Sequence, residues 1–169
     1  MSQANKKVEW CLNKVDKDLK DTGKHRGLVR VKADLSKAKD FVSKAEHYLK
    51  ATEYLKRGDF SDISASTVFY SMYHCLLAIA EKFGYESRNQ DCTFALIYSL
   101  IEDGKINFEA GLLNKIASLD IKQGDEKTSI EIREQYQYGT ELSIKDDIYK
   151  DLLNLAKEVI MKTKETLNV

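Results

Sequence analysis

The chain has 169 residues, of which 27 are basic and 27 are acidic, and 43% are hydrophobic. That length suits one domain with a buried core, and this apolar content without proline excludes a chain that is disordered throughout. No uncharged apolar run is long enough for a membrane span, and the first residues lack the apolar run of a secretory signal. We therefore expect a cytoplasmic protein that makes no contact with a membrane.

The zero net charge conceals an asymmetry along the chain. Residues 1–32 hold nine basic and four acidic side chains and carry +5, whereas residues 33–169 hold eighteen and twenty-three and carry −5. The basic segment could bind RNA phosphates, or it could dock on the acidic body or be solvated. The second interpretation is favoured because the charges are scattered. We divide the chain into a basic N-terminal extension, 1–34, and a main body, 35–169.

Within the extension, four apolar residues suggest a helix, but their spacing is not decisive: Val8, Trp10, Leu12 and Val15. Trp10 is expected to be a hydrophobic anchor that holds the extension to the body. The three cysteines, Cys11, Cys75 and Cys92, are widely spaced and form no CxxC pair. We expect all three to be free, inert thiols of a cytosolic protein.

A long amphipathic helix is predicted after residue 34. From Leu35 to Leu55, apolar residues recur at steps of three and four, which is the spacing of one helical face. Asp34 is a suitable N-cap and Gly58 a suitable stop.

A second long helix is predicted after a short turn. Ser61 or Asp62 would cap it, and apolar residues cover nearly its whole surface as far as Phe83, where Gly84 ends it. A helix with so little polar surface is normally central to a bundle. Two long helices joined by a short turn form an antiparallel hairpin.

Four further helices are predicted in the second half of the chain. The first begins near Asn89 and ends before Gly104, and a shorter one covers about 108–119. After a polar loop at 122–125, a short helix around 130–136 ends at Gly139. Ser143, with Asp146 three residues on, resembles a capping box for the last helix. The fold class is all-α, an up-and-down bundle of four or five helices built on the long hairpin, with an N-terminal helical extension.

Common catalytic and metal-binding motifs are absent from the sequence. It contains no HExxH, Walker A, GxGxxG or GxSxG pattern. The three histidines are scattered, and no cysteine lies where it would complete a metal site with them. We therefore expect no metal and no cofactor.

Three elements in this order resemble the HEPN family. They are the long hairpin with its segment FYSMYHCLLAIAEKFGY at 69–85, the turn GYESRN at 84–89, and the segment IREQYQYG at 132–139. The resemblance covers about 35–167. The extension, with EWCLNK at 9–14 and HRGL at 25–28, looks like that of an archaeal-type branch, similar to HEPN partners of minimal nucleotidyltransferases.

The resemblance implies a helical bundle that commonly dimerises and is often paired with a minimal nucleotidyltransferase in a toxin–antitoxin system. Catalytic relatives are metal-independent endoribonucleases with an arginine, a polar residue and then a histidine after four to six intervening residues. The chemistry explains this pattern. Histidine can give and take the protons of cleavage by the 2′-hydroxyl, and the guanidinium stabilises the charge that develops on the phosphate.

No arginine of this chain is followed by a histidine at that spacing. Arg88 and Asn89 begin like the motif, but Thr93, Phe94 and Ala95 occupy the positions where histidine would stand. We therefore expect a non-catalytic or catalytically reduced module that binds a nucleotide, RNA or a protein partner. The alternatives are a metal-independent endoribonuclease with a non-standard base, for which His74 is the best candidate by type, and a purely structural assembly module.

Each candidate binding residue also has a structural interpretation. Arg88 and Asn89 lie at a helix N-terminus, which attracts phosphate, but Asn89 could serve only as a cap. Arg133 could contact phosphate or pair with a carboxylate, and tyrosine rings could stack bases or pack in the bundle. The proposed nucleotide- or RNA-binding residues are Arg88, Asn89, Arg133, Tyr70, Tyr73, Tyr136 and Tyr138. The expected partners are a second copy of the chain and, as candidates, a minimal nucleotidyltransferase and RNA or a nucleotide.

Overall fold

The computed structural model of the chain describes residues 1–117 and 127–169. The predicted loop at 122–125 and the predicted end of the fourth helix near 119 lie outside the described residues. The described part is mostly helical, which confirms the all-α fold class. Its elements are α1 Gln3–Thr22, β1 Leu28–Arg30, α2 Leu35–Arg57, α3 Ser61–Lys82, β2 Tyr85–Ser87, α4 Gln90–Glu102, α5 Ala110–Ile116, α6 Ser129–Tyr138 and α7 Asp146–Leu167.

The long hairpin consists of α2 and α3, as predicted. The Asp34 carboxylate accepts a hydrogen bond from the Lys37 backbone N–H at 2.9 Å, and α2 ends at Gly58. Helix α3 is the most buried of the long helices, because α2, α4, α6 and α7 all pack against it. Its side chains dominate the core, with Phe69, Met72, Leu76 and Ile79 fully buried.

Helix α3 is also long and apolar enough, by length and composition alone, to cross a membrane. About 67% of an 18-residue apolar stretch of this helix is buried inside the protein. Its apolar surface therefore packs against other helices of the bundle, as in the core helix of a water-soluble protein.

The N-terminal extension is an ordered part of the same core. Helix α1 buries one face, formed by Ala4, Val8, Cys11 and Val15, mainly against α4. Trp10 lies outside this face and is 51% exposed, so the prediction that it anchors the extension is wrong. The buried face formed by Ala4, Val8, Cys11 and Val15 anchors the extension instead.

Two structural links hold α1 and the segment after it to the main body of the protein, and neither was predicted from the sequence. Strands β1 and β2 form an antiparallel ribbon in which Val29 faces Glu86. Cys11 and Cys92 form a disulfide between α1 and the first turn of α4. The prediction of three free thiols is therefore wrong for these two cysteines, and Cys75 is a buried free thiol.

Two predicted helix caps have other roles. Phe60 occupies the N-cap of α3, and the Ser61 hydroxyl accepts a hydrogen bond from the Ile144 backbone N–H at 3.1 Å. Helix α7 begins at Asp146 after Lys145, and no side chain of a described residue caps it, so the predicted capping box at Ser143 does not form. A capping box opens α6 instead, where Thr128 and Glu131 bond reciprocally.

Candidate functional site

Half-buried rings line the junction between α2 and α3. On α3, Tyr70, His74 and Leu77 follow one another at steps of four and three, so they lie on one face of the helix. Helix α2 contributes Phe41 and Tyr48, which are seven residues apart. We call these five residues the aromatic stripe.

The rings of the stripe contact one another across the hairpin. The His74 imidazole centre lies 5.0 Å from the Tyr48 ring centre and 6.0 Å from the Phe41 ring centre. The Tyr48 and Tyr70 ring centres are 6.2 Å apart. These separations are typical of aromatic pairs, so the stripe is a continuous surface that remains partly open to solvent.

His74 lies at the middle of the stripe in an environment that favours its neutral form. Burial lowers the pKa of the imidazole, and the nearby Lys44 ammonium lowers it further by repulsion. The buried Nδ1 atom has no hydrogen-bond partner in residues 1–117 and 127–169. Neutral histidine can accept a proton, but no group in the described part of the chain forms a hydrogen bond to this nitrogen that would orient the ring.

Arg133, on α6, lies beside the Tyr70 end of the stripe. Its Cζ atom lies 4.6 Å from the ring centre of Phe69 and 5.9 Å from that of Tyr70. The residue is only 9% exposed, yet its Nε has no hydrogen-bond partner among the described residues. Its one described ion pair is with Glu134, an exposed side chain, at 3.6 Å. A buried guanidinium with so few partners is costly, because burial removes the water that would otherwise solvate it.

Arg88 lies at the opposite end of the stripe, in a cluster of charges. Its Nε donates a hydrogen bond to the Glu86 carboxylate at 3.0 Å. Lys37 lies 3.5 Å from the same carboxylate and 2.7 Å from Glu81, and His25 lies 3.5 Å from Glu86. Burial alone would raise the pKa of Glu86, but Lys37 and Arg88 hold it below its usual value. Much of the positive charge of Arg88 is therefore offset within the protein.

Asn89 serves as the N-cap of α4. Its side-chain oxygen accepts a hydrogen bond from the Cys92 backbone N–H at 3.0 Å, and its backbone N–H and carbonyl both contact the Ser87 hydroxyl. The amide oxygen of Asn89 therefore caps the helix, which is the structural alternative to phosphate binding that the sequence left open.

The other predicted tyrosines differ in their access to solvent. Tyr73 is buried and shares a hydrogen bond of 3.0 Å with the Thr93 hydroxyl. Tyr136 is also buried, whereas Tyr138, at the end of α6, is 78% exposed. Only Tyr138 and the half-buried Tyr70 therefore present a ring to solvent among the four tyrosines predicted from the sequence.

The structure separates the two predicted arginines. Arg133 contacts Tyr70, while Arg88 lines a hollow of about 260 Å³ with Phe41 and Leu77. Seven residues separate Tyr70 from Leu77, which is about 10 Å along the axis of α3. A single small group such as one phosphate cannot contact both arginines across that distance. One ligand can therefore bind both arginines only if it extends along the stripe.

The sequence singled out Tyr70 and His74 but missed Phe41 and Tyr48. Their seven-residue spacing on α2 was visible, because two turns of a helix bring such residues to one face. Which face of α2 meets α3 depends on how the hairpin packs, and the spacing alone does not determine it. Among the described residues, no three His, Cys, Asp or Glu side chains are grouped so that they could hold a metal ion.

Comparison with known families gives a match over most of the chain. A family model described as the HEPN domain matches residues 38–166, which include all five residues of the stripe and Arg133. A search of curated proteins finds no match.

Proposed function

The chain belongs to the HEPN family, and on that basis we propose that it is a binding module for a nucleotide or RNA that does not cleave its ligand. The aromatic stripe is the proposed binding surface. Bases would stack on its partly exposed rings, and phosphates would pair with the arginines near its two ends.

The observation that carries this proposal is the buried, under-partnered guanidinium of Arg133. Native structures rarely leave a buried charged donor without a strong acceptor. A phosphate group supplies several acceptor oxygens and a negative charge, and guanidinium binds such groups with charge-assisted hydrogen bonds. Tyr70, whose ring lies beside the guanidinium, would hold the attached base or sugar.

The ring surface suits a single-stranded ligand. Aromatic platforms combined with positive charge are the usual means of binding unpaired nucleotides without strong sequence preference. Arg88 and Lys37 supply the second positive end, although Glu86 offsets part of their charge. Buried Tyr73 and Tyr136 would support the site from beneath, and exposed Tyr138 would extend it.

Binding is tested with labelled single-stranded RNA and with ATP, by fluorescence anisotropy in the presence of a chelator. Arg133→Met and Tyr70→Ala should each lower the affinity roughly tenfold, the range expected for the loss of one phosphate contact or one stacked base. Tyr54→Ala is the matched control, because Tyr54 is an exposed tyrosine of α2 outside the stripe. Undiminished affinity in the Arg133 and Tyr70 variants would refute the proposed surface.

The endoribonuclease alternative is tested in the same samples. We expect no cleavage, because no arginine is followed by histidine at the spacing of the catalytic motif. Metal-free cleavage that disappears in both His74→Ala and Arg88→Ala would replace the binding proposal with a nuclease that uses the neutral imidazole of His74 as its base.

The expectations about partners are part of this proposal. We propose a homodimer, with a minimal nucleotidyltransferase as a further candidate partner in a toxin–antitoxin pair of the archaeal-type branch. Sedimentation over a range of concentrations tests the dimer, and a monomer throughout would refute it. Co-purification with the product of an adjacent nucleotidyltransferase gene tests the pair, and a purely structural assembly module would form it without binding RNA.

A cytoplasmic location is likewise proposed. Disulfides such as Cys11–Cys92 are rare in the cytosol of mesophiles and common inside hyperthermophiles. Alkylation of thiols at the moment of cell lysis, followed by mass spectrometry of the Cys11 and Cys92 peptides, measures the redox state in the cell. A reduced pair is the result expected in a cytosol that keeps thiols reduced, and a fully oxidised pair in a mesophilic cell would contradict the cytoplasmic location.

A further inference from the structure

Helix α1 presents a tryptophan on the side that does not face the core. The helix is packed through Ala4, Val8, Cys11 and Val15, and Trp10 does not belong to that face. Half of the Trp10 side chain remains accessible, so the packing of α1 does not account for this large apolar residue. Single exposed apolar residues are common, but the surroundings of this one are unusual.

Two lysines flank the Trp10 ring. The Lys7 ammonium lies 4.3 Å from the ring centre and the Lys14 ammonium 5.1 Å from it. Within the part of the chain that the structure describes, neither ammonium has a carboxylate within 4 Å. The two ammonium groups therefore contact the ring but are not neutralised by a described carboxylate, so they remain available to an anion.

The ring borders a hollow of about 200 Å³ between α1, the segment before β1 and the start of α4. Arg26 brings a third positive charge to it, and this guanidinium also has no ion pair among the described residues. Asp18 and Asp91 line the same hollow, so three cations face two carboxylates there. The surrounding segment 1–32 has a charge of +5, which strengthens the attraction for anions.

The site is held rigidly before any ligand arrives. The Cys11–Cys92 disulfide joins the two helices that form it, directly beside Trp10. The Ser2 hydroxyl caps the start of α1 by accepting from the Asn5 N–H at 3.1 Å. Helices that are already joined lose little freedom when a ligand binds, which favours affinity.

We propose that this surface, the Trp10 site, binds single-stranded nucleic acid, with one base stacked on Trp10 and the adjacent phosphates on Lys7 and Lys14. Seven residues separate the lysines, about 10 Å along the helix, so they can reach phosphates on both sides of one nucleotide. Stacking of a base outweighs an exposed contact between an ammonium and a ring, which frees the lysines to pair with phosphates. Arg26 would hold a further phosphate at the hollow.

This site extends the proposed function to a second surface. It shares the class of ligand with the aromatic stripe but rests on none of the stripe's residues. Trp10 is the only tryptophan of the chain, so its fluorescence reports on this site alone.

The test titrates the full chain with a short single-stranded oligoadenylate and follows Trp10 fluorescence together with the anisotropy of the labelled RNA. We expect quenching that saturates with the anisotropy change and weakens steeply with added salt. Trp10→Ala should lower the affinity roughly five- to a hundredfold, as for the loss of a stacking platform, and Trp10→Phe should retain part of it.

The lysine contacts are tested with the double variant Lys7→Gln, Lys14→Gln. Its matched control is Lys20→Gln, Lys24→Gln, which removes the same charge from the same segment away from the Trp10 ring. A loss of at least about fivefold in the first variant alone supports the site. Equal losses in both variants would show only non-specific attraction to a basic segment and would overturn the proposal.

The two surfaces give separate outcomes. Quenching that survives Tyr70→Ala and Arg133→Met but is lost in Lys7→Gln, Lys14→Gln supports the Trp10 site even if the stripe proposal fails. RNA binding without quenching, lost in the Tyr70 and Arg133 variants, overturns the Trp10 site and leaves the stripe in place. Quenching by ATP but not by the oligonucleotide also overturns the proposal of a single-stranded ligand.

Discussion

The sulfurs of Cys11 and Cys92 are bonded to each other although 81 residues separate the two cysteines in the chain. The bond ties the N-terminal helix to the first turn of α4, next to the Asn89 cap. Cys75 lies apart from this pair in the core, where burial raises the pKa of its thiol to about 12.

These environments predict the result of a thiol titration. The native protein should show no reactive thiol with a disulfide reagent at pH 8, because two cysteines are bonded and Cys75 is buried and protonated. Denaturant alone should reveal one thiol, and denaturant after reduction should reveal three. A count of three in denaturant without reductant would contradict the disulfide.

Loss of the disulfide should lower the stability of the whole domain. Closing a loop of this length in the unfolded chain is worth about 4.5 kcal/mol in the chain-entropy description. Chemical unfolding should therefore shift to lower denaturant when reductant is added to the wild type. Cys11→Ser serves as the control, since its stability should already be low and should not respond to reductant.

Arg133→Met should separate stability from binding. Methionine keeps much of the apolar contact with Phe69 and removes an under-partnered buried charge. The free energy of unfolding should therefore fall by no more than about 1 kcal/mol, or should rise. Affinity for RNA should fall in the same variant. A large loss of stability would show instead that the guanidinium is fully satisfied in the folded protein.

Acidification should destabilise the fold through His74. Its pKa is lowered in the folded protein, chiefly by burial and also by Lys44, so the unfolded chain takes up a proton near pH 6.5 that the folded chain accepts only at lower pH. Stability should therefore decrease as the pH falls from about 7 through 6. His74→Gln should have a flatter profile over that interval, and parallel curves would contradict the assignment to His74.

Gly84→Ala should be more destabilising than Gly104→Ala. Both glycines have positive φ, which costs an alanine about 1–2 kcal/mol. At Gly84 an added Cβ would also lie 2.9 Å from the Val31 carbonyl oxygen, whereas at Gly104 it would meet no atom of the described residues within 4 Å. Thermal unfolding of the two variants measures the difference, and equal shifts would mean that the backbone near Val31 yields readily.

The elements that the sequence predicted well are those with local causes. Helix α2 follows from the three- and four-residue spacing after Asp34, and the central place of α3 follows from its nearly uniform apolar surface. Likewise, the four-residue step from Tyr70 to His74 is enough to place both on one face.

The features that escaped prediction depend on contacts between distant segments. The β1–β2 ribbon has three residues in each strand, too few for a recognisable pattern. The apolar character of Trp10 suggested an anchor, but the docking of α1 on α4 selects another face. Ser61 has a residue type that caps helices, yet its hydroxyl bonds to Ile144, which is 83 residues away.

The family match begins at residue 38, although residues before that position also contribute to the hydrophobic core. Leu28 is completely buried, and the inner face of α1 covers part of α4. A chain shortened to the matched boundary would expose these apolar surfaces to water and leave the β2 edge unpaired, two conditions that favour self-association. Expression trials on such a fragment would therefore report on aggregation, and assays of RNA binding need the first 37 residues.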